Sequence, residues 1–397
     1  MMTKIRLRHD EAKSVQRRHP WLFSGALEPG DLRHLGEGDL VEVISREGKF
    51  VGRGYYEAGS IAVRLLTFDP TVRIDATFWE EKVRRAYHLR QCLGLTQPHG
   101  AFRLIHGEGD GVPGLVIDMY DQVAVVQAHT MGIHRLRGAI SDALVQVLGS
   151  QLRCIYYKSA TTLITRTTIT EPLDTVVYGE LPSDLVISEN GVAFAPDILR
   201  GQKTGFFLDQ RDNRRLIQSY AHDRTVLNVF CYTGGFSLHA LRGGAKQVTS
   251  VDSSAVATQQ LEHNLSLNPD LPLDRHHTAT EDAFDFLDRM PAGAYDLIVL
   301  DPPAFAKKRS ALTNGLHGYR RINTRALEKI APGGLLFTFS CSQALSSEVF
   351  RQNIFTAALA AGRNVRILHQ LAQAPDHPIS IYHPEGDYLK GLALYVE

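Results

Sequence analysis

From about residue 225 onward, short apolar runs alternate with amphipathic stretches. TVLNVF, QVTSVD, YDLIVLD, GLLFTFS and GLALYVE read as strands, with helical segments between them. That rhythm predicts a parallel sheet covered on both faces, hence a doubly wound α/β domain. The first seventy or so residues follow another period. GDLVEVISREGKFVGRGYYEAGSIAVRLLTF alternates apolar and polar positions between glycines, as a small β barrel would. From Asp75 to about Leu95 the period is helical. Phe78, Val83, Ala86, Leu89 and Leu93 fall near one face, and Asp75 stands at the N-cap position. Beyond that helix, the chain predicts a hairpin turning near Asp121, an amphipathic helix in HRLRGAISDALVQVLG and a strand in CIYYKSA. DLVISENGVAFAPDI predicts a second hairpin, with Asn190-Gly191 at its turn, a pair that tolerates positive φ. The expected organisation is a β barrel over 1–72, a central α+β part over 73–187 and an α/β domain over 188–397.

Composition changes this picture little. Of 397 residues, 44% are hydrophobic and 22% charged, which suits ordinary globular cores. A formal net charge of zero argues against a protein that is basic all over, while leaving local basic faces open. Lys4, Arg6, Arg8, Lys13, Arg17 and Arg18 crowd the first twenty residues against Asp10 and Glu11, and AKKRS holds Lys307, Lys308 and Arg309. Each run, taken alone, is as well explained by a solvated surface. The four cysteines are widely spaced, without a disulfide framework, which fits a reducing compartment. No apolar signal core opens the chain and no run reaches the length of a membrane span, so a cytoplasmic protein is expected. The 17 histidines show no compact ligand spacing with cysteine or carboxylate, and no metal site is expected.

Six stretches are candidates to carry chemistry. In VLNVFCYTGGFSLHALRGG a strand ends near Phe230, small residues follow at Thr233, Gly234 and Gly235, and a helix begins. Glycines there admit a ligand to the backbone at a helix N-terminus, although tight helix–strand packing would use them equally well. QVTSVDSS ends in Asp252, which could accept both hydroxyls of a ribose; capping the next helix is the alternative, and Ser253 or Ser254 could do that instead. The pair points to a nucleoside-bearing cofactor, either nicotinamide or S-adenosylmethionine. YDLIVLDPPAFAKKR stiffens Asp301 with Pro302 and Pro303 at the carboxyl end of a central strand. GGLLFTFSCSQAL sets Cys341 just past the next strand, at the same sheet edge. A cysteine after an apolar strand is most often a small core residue. Beside a rigid acidic turn, it also suits addition of a thiolate to carbon 6 of cytosine, which makes carbon 5 nucleophilic, with a carboxyl group at nitrogen 3. Such a thiol needs positive groups near it. Cys231 would lie closer to cofactor than to substrate; Cys92 and Cys154 read as packing. GQKTGFFLDQRDNRR, with Lys203, Thr204, Phe206 and Asp209, could cover a ligand, and ATEDAFDFL places Asp282 after a third strand, where it could meet an adenine amino group.

Together GQKTGFFLDQRDNR, NVFCYTGGFSLHA, DPPAF, GYRRIN, TFSCS and DHPISIYHPEGDYLKG resemble the RlmI-type 23S ribosomal RNA cytosine-5 methyltransferases over nearly the whole chain. EAKSVQRRHPWLFSGAL resembles that family's PUA domain, and RLIHGEGDGVPGLVID its central linking domain. The resemblance implies a Rossmann-like class I methyltransferase domain using S-adenosylmethionine, with Cys341 as nucleophile and Asp301 orienting the cytosine. It also implies that Tyr232, Thr233, Gly234, Gly235, Phe236, Asp252 and Asp282 hold the cofactor, with Asp301 and Pro302 beside it and the loop of Lys203, Thr204, Phe206 and Asp209 near it. Arg17, Arg18, Lys307, Lys308 and Arg309 would meet RNA phosphates, and the partner would be 23S ribosomal RNA, naked or in an assembling large subunit. Family members are often homodimers. DPPAF is followed by no second cysteine of the kind that releases product in the other large group of RNA cytosine-5 methyltransferases, so another group must take the carbon-5 proton. Two alternatives stay open: methylation of a guanine or adenine nitrogen in RNA, and a non-catalytic RNA-binding assembly factor.

Overall fold

The computed structural model describes every residue except 1, 10–12, 164, 166–167 and 307, and the side chains of 13, 14 and 309. Lys307 and the Arg309 side chain, both expected to meet RNA, therefore lie outside the described residues. Contacts divide the chain into two units. One holds Met1–Ile187, Pro196–Leu208 and Pro375–Gly386; the other holds Ser188–Ala195, Asp209–Ala374 and Asp387–Glu397. No helix among the described residues is long and apolar enough to cross a membrane.

In the first unit, the period-two stretch forms a five-stranded sheet in the order Thr3–Arg6, Leu40–Ile44, Phe50–Tyr56, Ile61–Thr67, Trp21–Phe23. The first pair is parallel and the others antiparallel. A bridge between Leu7 and Leu27 draws the sheet's two ends together, as barrel closure requires. Alternate residues Val41 and Val43, Val63 and Leu65 point into a core shared with Ile5, Leu7 and Leu22.

A second five-stranded sheet contains the hairpin of Leu115–Tyr120 and Val123–Ala128, which turns at Asp121 with φ 52°. Against it packs the helix Ala76–Cys92, capped as expected by Asp75, whose side chain accepts the Phe78 N–H. One expectation for this helix fails. Leu89 and Leu93 are each 38% exposed, and Arg90 is fully buried in their stead. Its guanidinium bonds both carboxylate oxygens of Asp110 and the carbonyls of Arg103 and Asp376, so the planar five-donor fork leaves little of its charge uncompensated.

The second unit is built on seven strands: β1 Thr225–Val229, β2 Gln247–Asp252, β3 His276–Thr280, β4 Leu297–Leu300, β5 Gly334–Ser340, β6 Val365–Leu371 and β7 Lys390–Val396. Their order is 3-2-1-4-5-7-6. β1 to β5 are parallel, as expected for strands separated by helices. The parallel expectation fails at β7. It runs antiparallel to β5 and pairs on its other side with β6, a strand the apolar pattern did not announce. β6 is an edge strand with Arg366, Ile367 and Leu368 exposed, so it lacks the buried run that marks β4 and β5.

Six helices flank the sheet: α1 Arg211–Tyr220, α2 Gly235–Arg242, α3 Ala255–Ser266, α4 Ala283–Arg289, α5 Leu312–Lys329 and α6 Ser347–Ala361. Tyr319, Ile322 and Leu327 of α5 and Phe350 and Ile354 of α6 pack against Ile298, Leu300 and Leu336. The Asn190-Gly191 hairpin forms as expected, with φ of 50° and 82°. Arg214 pins α1 to that hairpin through two bonds to Glu189, of 2.6 and 2.7 Å. Strand order reverses between β1 and β4, and open α/β sheets bind ligands in the crevice at the carboxyl ends flanking such a point.

Candidate functional site

The turn after β1 folds back through three left-handed residues, Phe230 (φ 62°), Tyr232 (φ 48°) and Gly234 (φ 84°). Two of these are bulky and therefore strained, a condition that persists where the surroundings over-determine it and that clusters at ligand sites. Asp252 supplies part of the constraint. Its Oδ2 accepts the Tyr232 N–H at 2.9 Å and its Oδ1 the Ser254 N–H at 2.9 Å. Ser254, not Asp252, caps α3, which settles that alternative. The Thr233 carbonyl accepts a bond from Asn264 at 2.9 Å. A Cβ on Gly234 would stand 2.7 Å from Leu261 Cγ and 3.0 Å from Leu238 Cδ1. Gly234→Ala should therefore lower stability by about 1–3 kcal/mol, because strain at positive φ adds to overpacking. It should also weaken S-adenosylmethionine binding; melting and calorimetry on the same sample would read both, and an unchanged melting temperature would show that the turn can adapt. Phe236 is buried and stacks on Phe339 at 5.6 Å, a place in the core. Asp282 caps α4, its Oδ1 accepting the N–H groups of Phe284 and Asp285.

Lys203, Thr204 and Phe206 belong to the first unit, apart from Asp209 in the second. The Thr204 hydroxyl is buried between Asp118 Oδ2 at 2.5 Å and Tyr120 Oη at 2.8 Å, so it serves that unit's fold. The Phe206 N–H donates to Tyr120 Oη at 3.2 Å, and the Lys203 carbonyl accepts from Gln127 at 3.1 Å. Arg17, Arg18 and Lys308 are exposed. Arg18 lies over the rings of Phe68 and Tyr382, at 5.4 and 5.8 Å.

Asp301 and Cys341 follow directly on the ends of β4 and β5, neighbours in the sheet, so the strand pairing brings both to one edge. Gln210 donates to Asp301 Oδ2 at 3.1 Å, and Asn213 orients Gln210 through a 2.6 Å bond to its Oε1. Burial and the neighbouring Asp209 carboxylate push the Asp301 carboxyl up to about 7, against the opposing pull of Gln210 and Arg214. Asp209 itself is held by the Tyr388 hydroxyl on Oδ2 at 2.7 Å, while its Oδ1 is buried with no hydrogen-bond partner among the described residues.

The two serines around Cys341 have structural work, and they leave the thiol partly exposed between them. Ser340 and Ser342 are fully buried. Ser342 Oγ bonds the Tyr319 hydroxyl at 2.9 Å and accepts the Ala306 N–H at 3.3 Å, tying the loop after Asp301-Pro302-Pro303 to the loop that carries the thiol. Lys390 completes the loop from β7. Its ammonium donates to the Ser342 carbonyl at 2.9 Å and the Tyr388 carbonyl at 2.7 Å. Sequence reasoning gave no role to Gln210, Tyr319, Tyr388 or Lys390; the hint was that Gln210 falls within GQKTGFFLDQRDNR, Tyr319 within GYRRIN and Tyr388 and Lys390 within the GDYLKG run. Cys231 is buried, and burial with the nearby Asp252 charge pushes its thiol well up, so it stays protonated.

Among the described residues, His19, His383 and Glu385 of the first unit each bring one ligand-type atom within 4.8 Å of the others. The Trp21 N–H donates to His19 Nδ1 at 3.0 Å, so the ring proton sits on Nε2, which faces Glu385 at 3.2 Å. A metal on Nε2 would need a lone pair there while Nδ1 already accepts a bond. The arrangement is a histidine–carboxylate hydrogen bond.

Comparison with known proteins adds a family context. A family model described as an S-adenosylmethionine-dependent methyltransferase matches residues 166–380, and one described as a PUA-like domain matches 5–68. Proteins named ribosomal RNA large subunit methyltransferase I are similar to the chain over essentially its whole length. That of Shewanella denitrificans is 39% identical over 100% of both chains, that of Tolumonas auensis 39% over 99% of both, and that of Klebsiella pneumoniae 38% over 100% and 99%. In fold, the chain is similar to a Streptococcus mutans protein assigned to the SAM-dependent methyltransferases, with TM-score 0.83 and 23% identity over the full length of both. It is equally similar to a solved methyltransferase-type chain complexed with SAH, with TM-score 0.84 and 23% identity over the full length of both.

Proposed function

The chain belongs to the ribosomal RNA large subunit methyltransferase I family, with S-adenosylmethionine as its methyl donor, and from that premise we propose that it methylates carbon 5 of a cytosine in 23S ribosomal RNA through a transient Cys341–carbon 6 bond. The observation that carries this reading is the placement of a partly exposed cysteine and a carboxyl group at the ends of adjacent strands, where burial and Asp209 push the carboxyl up to about 7.

The residues present fit the donor. Asp209 Oδ1, buried and without a partner among the described residues, is an acceptor suited to a cationic ligand. The strained turn from Tyr232 to Gly235 would hold the amino-acid end, Asp252 the ribose and Asp282 the adenine. When bound, S-adenosylmethionine supplies a methyl group activated by its sulfonium charge.

The chain's own groups do the rest. Cytosine carbon 5 is too weak a nucleophile unaided. Addition of the Cys341 thiolate to carbon 6 turns the ring into an enamine whose electron density lies on carbon 5. Asp301, held near 7, still carries a proton on a substantial fraction of molecules at neutral pH and can donate it toward nitrogen 3 as the thiolate adds. Once carbon 5 carries the methyl group, its proton passes to water and the electron pair of that bond forms the carbon 5–carbon 6 double bond. The carbon 6–sulfur bond breaks with the thiolate leaving, and nitrogen 3 returns its proton to the Asp301 carboxylate. The target base must leave its helix to reach the thiol, and Arg17, Arg18 and Lys308 would grip phosphates without reading sequence.

The test is product identity. Incubation of the protein with 23S ribosomal RNA, as naked RNA and as large-subunit particles, and isotopically labelled donor should place label in 5-methylcytidine on nucleoside digestion and mass spectrometry. Label in a methylated guanosine or adenosine would replace this reading with nitrogen methylation.

A further inference from the structure

Lys390 opens β7 directly opposite Ser340 of β5, in antiparallel register. From that position its side chain reaches past the strand end to the loop carrying the thiol. The residue is 4% exposed, and its ammonium is fixed on two backbone carbonyls, Ser342 at 2.9 Å and Tyr388 at 2.7 Å. Ser342 immediately follows Cys341. A buried ammonium is costly, and neutral carbonyls satisfy its donors without cancelling its charge.

We propose that Lys390 is a positioning residue for the reaction: its anchored ammonium stabilises negative charge on the Cys341 sulfur, before the thiolate adds to the pyrimidine and again when it is expelled. This rests on the reading of Cys341 as the nucleophile and supplies the cation that reading requires. The thiol gives its proton to water; Lys390 stays an ammonium throughout and transfers nothing.

The surrounding charges agree with this assignment. Burial pulls the Lys390 ammonium below the ordinary lysine value, while Asp387 and then Cys341 pull it back up. The Lys390–Cys341 interaction is mutual, so a thiolate that favours the ammonium is favoured by it to the same extent. The Tyr319 hydroxyl bonds Ser342 Oγ at 2.9 Å, next in the chain to Cys341. Burial pushes its hydroxyl up, and Ser340 and Ser342 hold it, so it stays neutral and adds no competing charge at working pH. Asp301 stands at the end of the neighbouring strand and favours its neutral form up to about 7. Asp387 is exposed; its carboxylate favours the ammonium and offsets part of that positive charge at the sulfur.

The experiment reads the thiol directly. The full-length protein is treated with iodoacetamide across pH 6 to 10, and alkylation of the Cys341 peptide is followed by mass spectrometry. Exposed Cys92 in the same digest serves as internal control. Lys390→Met should move the Cys341 profile up by about one pH unit and slow its reaction at pH 7 about tenfold, leaving Cys92 unchanged. Lys390→Arg, which keeps the charge, should stay close to the parent protein. In methyl transfer, Lys390→Met should lower kcat with little effect on the KM for S-adenosylmethionine. An unmoved Cys341 profile in a folded Lys390→Met protein overturns the inference, as does Lys390→Arg shifting as far as Lys390→Met. Should Lys390→Met fail to fold, surface Asp387→Asn is the second probe: removing the offsetting carboxylate should move the profile to lower pH, and no movement overturns the inference. Alkylation needs no turnover, so failure here is distinct from failure of Cys341 as nucleophile, which would appear as methyl transfer by Cys341→Ala.

Discussion

Cys341→Ala should lose methyl transfer to RNA by at least about 10³-fold while binding S-adenosylmethionine as the parent protein does. The loss is large because no other group among the described residues at this edge can make carbon 5 of cytosine nucleophilic; Cys231 is buried and held protonated. Donor affinity should persist because the turn that would hold the donor follows β1, whereas Cys341 follows β5. The fold should persist as well. Ser340 and Ser342 keep their bonds, and the alanine removes only one partly exposed sulfur. Filter-bound label measures transfer and calorimetry measures binding. Turnover at the parent rate would eliminate covalent catalysis through this residue, and the alternative of nitrogen methylation, which needs no thiol, would gain.

Asp301→Asn should make the enzyme slower and the protein more stable, both effects having one cause. Burial and Asp209 raise the Asp301 carboxyl to about 7, far above its ordinary 3.8. Between those two values the folded chain binds more protons than the unfolded chain. Stability therefore falls as pH rises through that window and stays reduced above it. Asparagine has no such proton to lose. At pH 8 the variant should exceed the parent protein in stability by about 2–4 kcal/mol, with the gap closing toward pH 4. Its amide can still meet Gln210 but cannot pass a proton toward nitrogen 3, so kcat should drop about 10²–10⁴-fold. In the parent protein, the contribution of the protonated carboxyl to the rate is present below about 7 and is lost above it. Melting curves at pH 4 and pH 8 decide the stability claim: equal gaps at both would mean that Asp301 ionises freely in the folded protein.

The two residues on which the proposed chemistry rests stand where the chain pattern put them, at strand ends. Chemistry that needs a rigid carboxyl and a small nucleophile there would leave local marks, and DPPAF and TFSCS have that form. The strands that carry them were equally legible, because LIVL and GLLFTFS are buried on both faces and show uninterrupted apolar runs. The Asp75 cap and the Asn190-Gly191 turn are local in the same sense, each resting on residues within three positions.

What the sequence determined by itself was therefore the set of elements whose side chains are constrained by near neighbours: the parallel strands, the capped helix, the two hairpins and the acid and thiol at their strand ends. Tertiary structure alone decided the rest. Leu89 and Arg90 exchanged their expected places because Arg90 finds its carboxylate in Asp110 and a carbonyl in Asp376, partners that helical period does not encode. β7 turned antiparallel, and β6 appeared beside it, because strand direction depends on the return path of the chain and an exposed edge needs no apolar run. Lys390 meets Ser342 from 48 residues away, Gln210 meets Asp301 from 91 and Tyr388 meets Asp209 from 179. Hydrogen bonds and charges act over a few ångströms of space, and only the folded sheet edge makes those separations short.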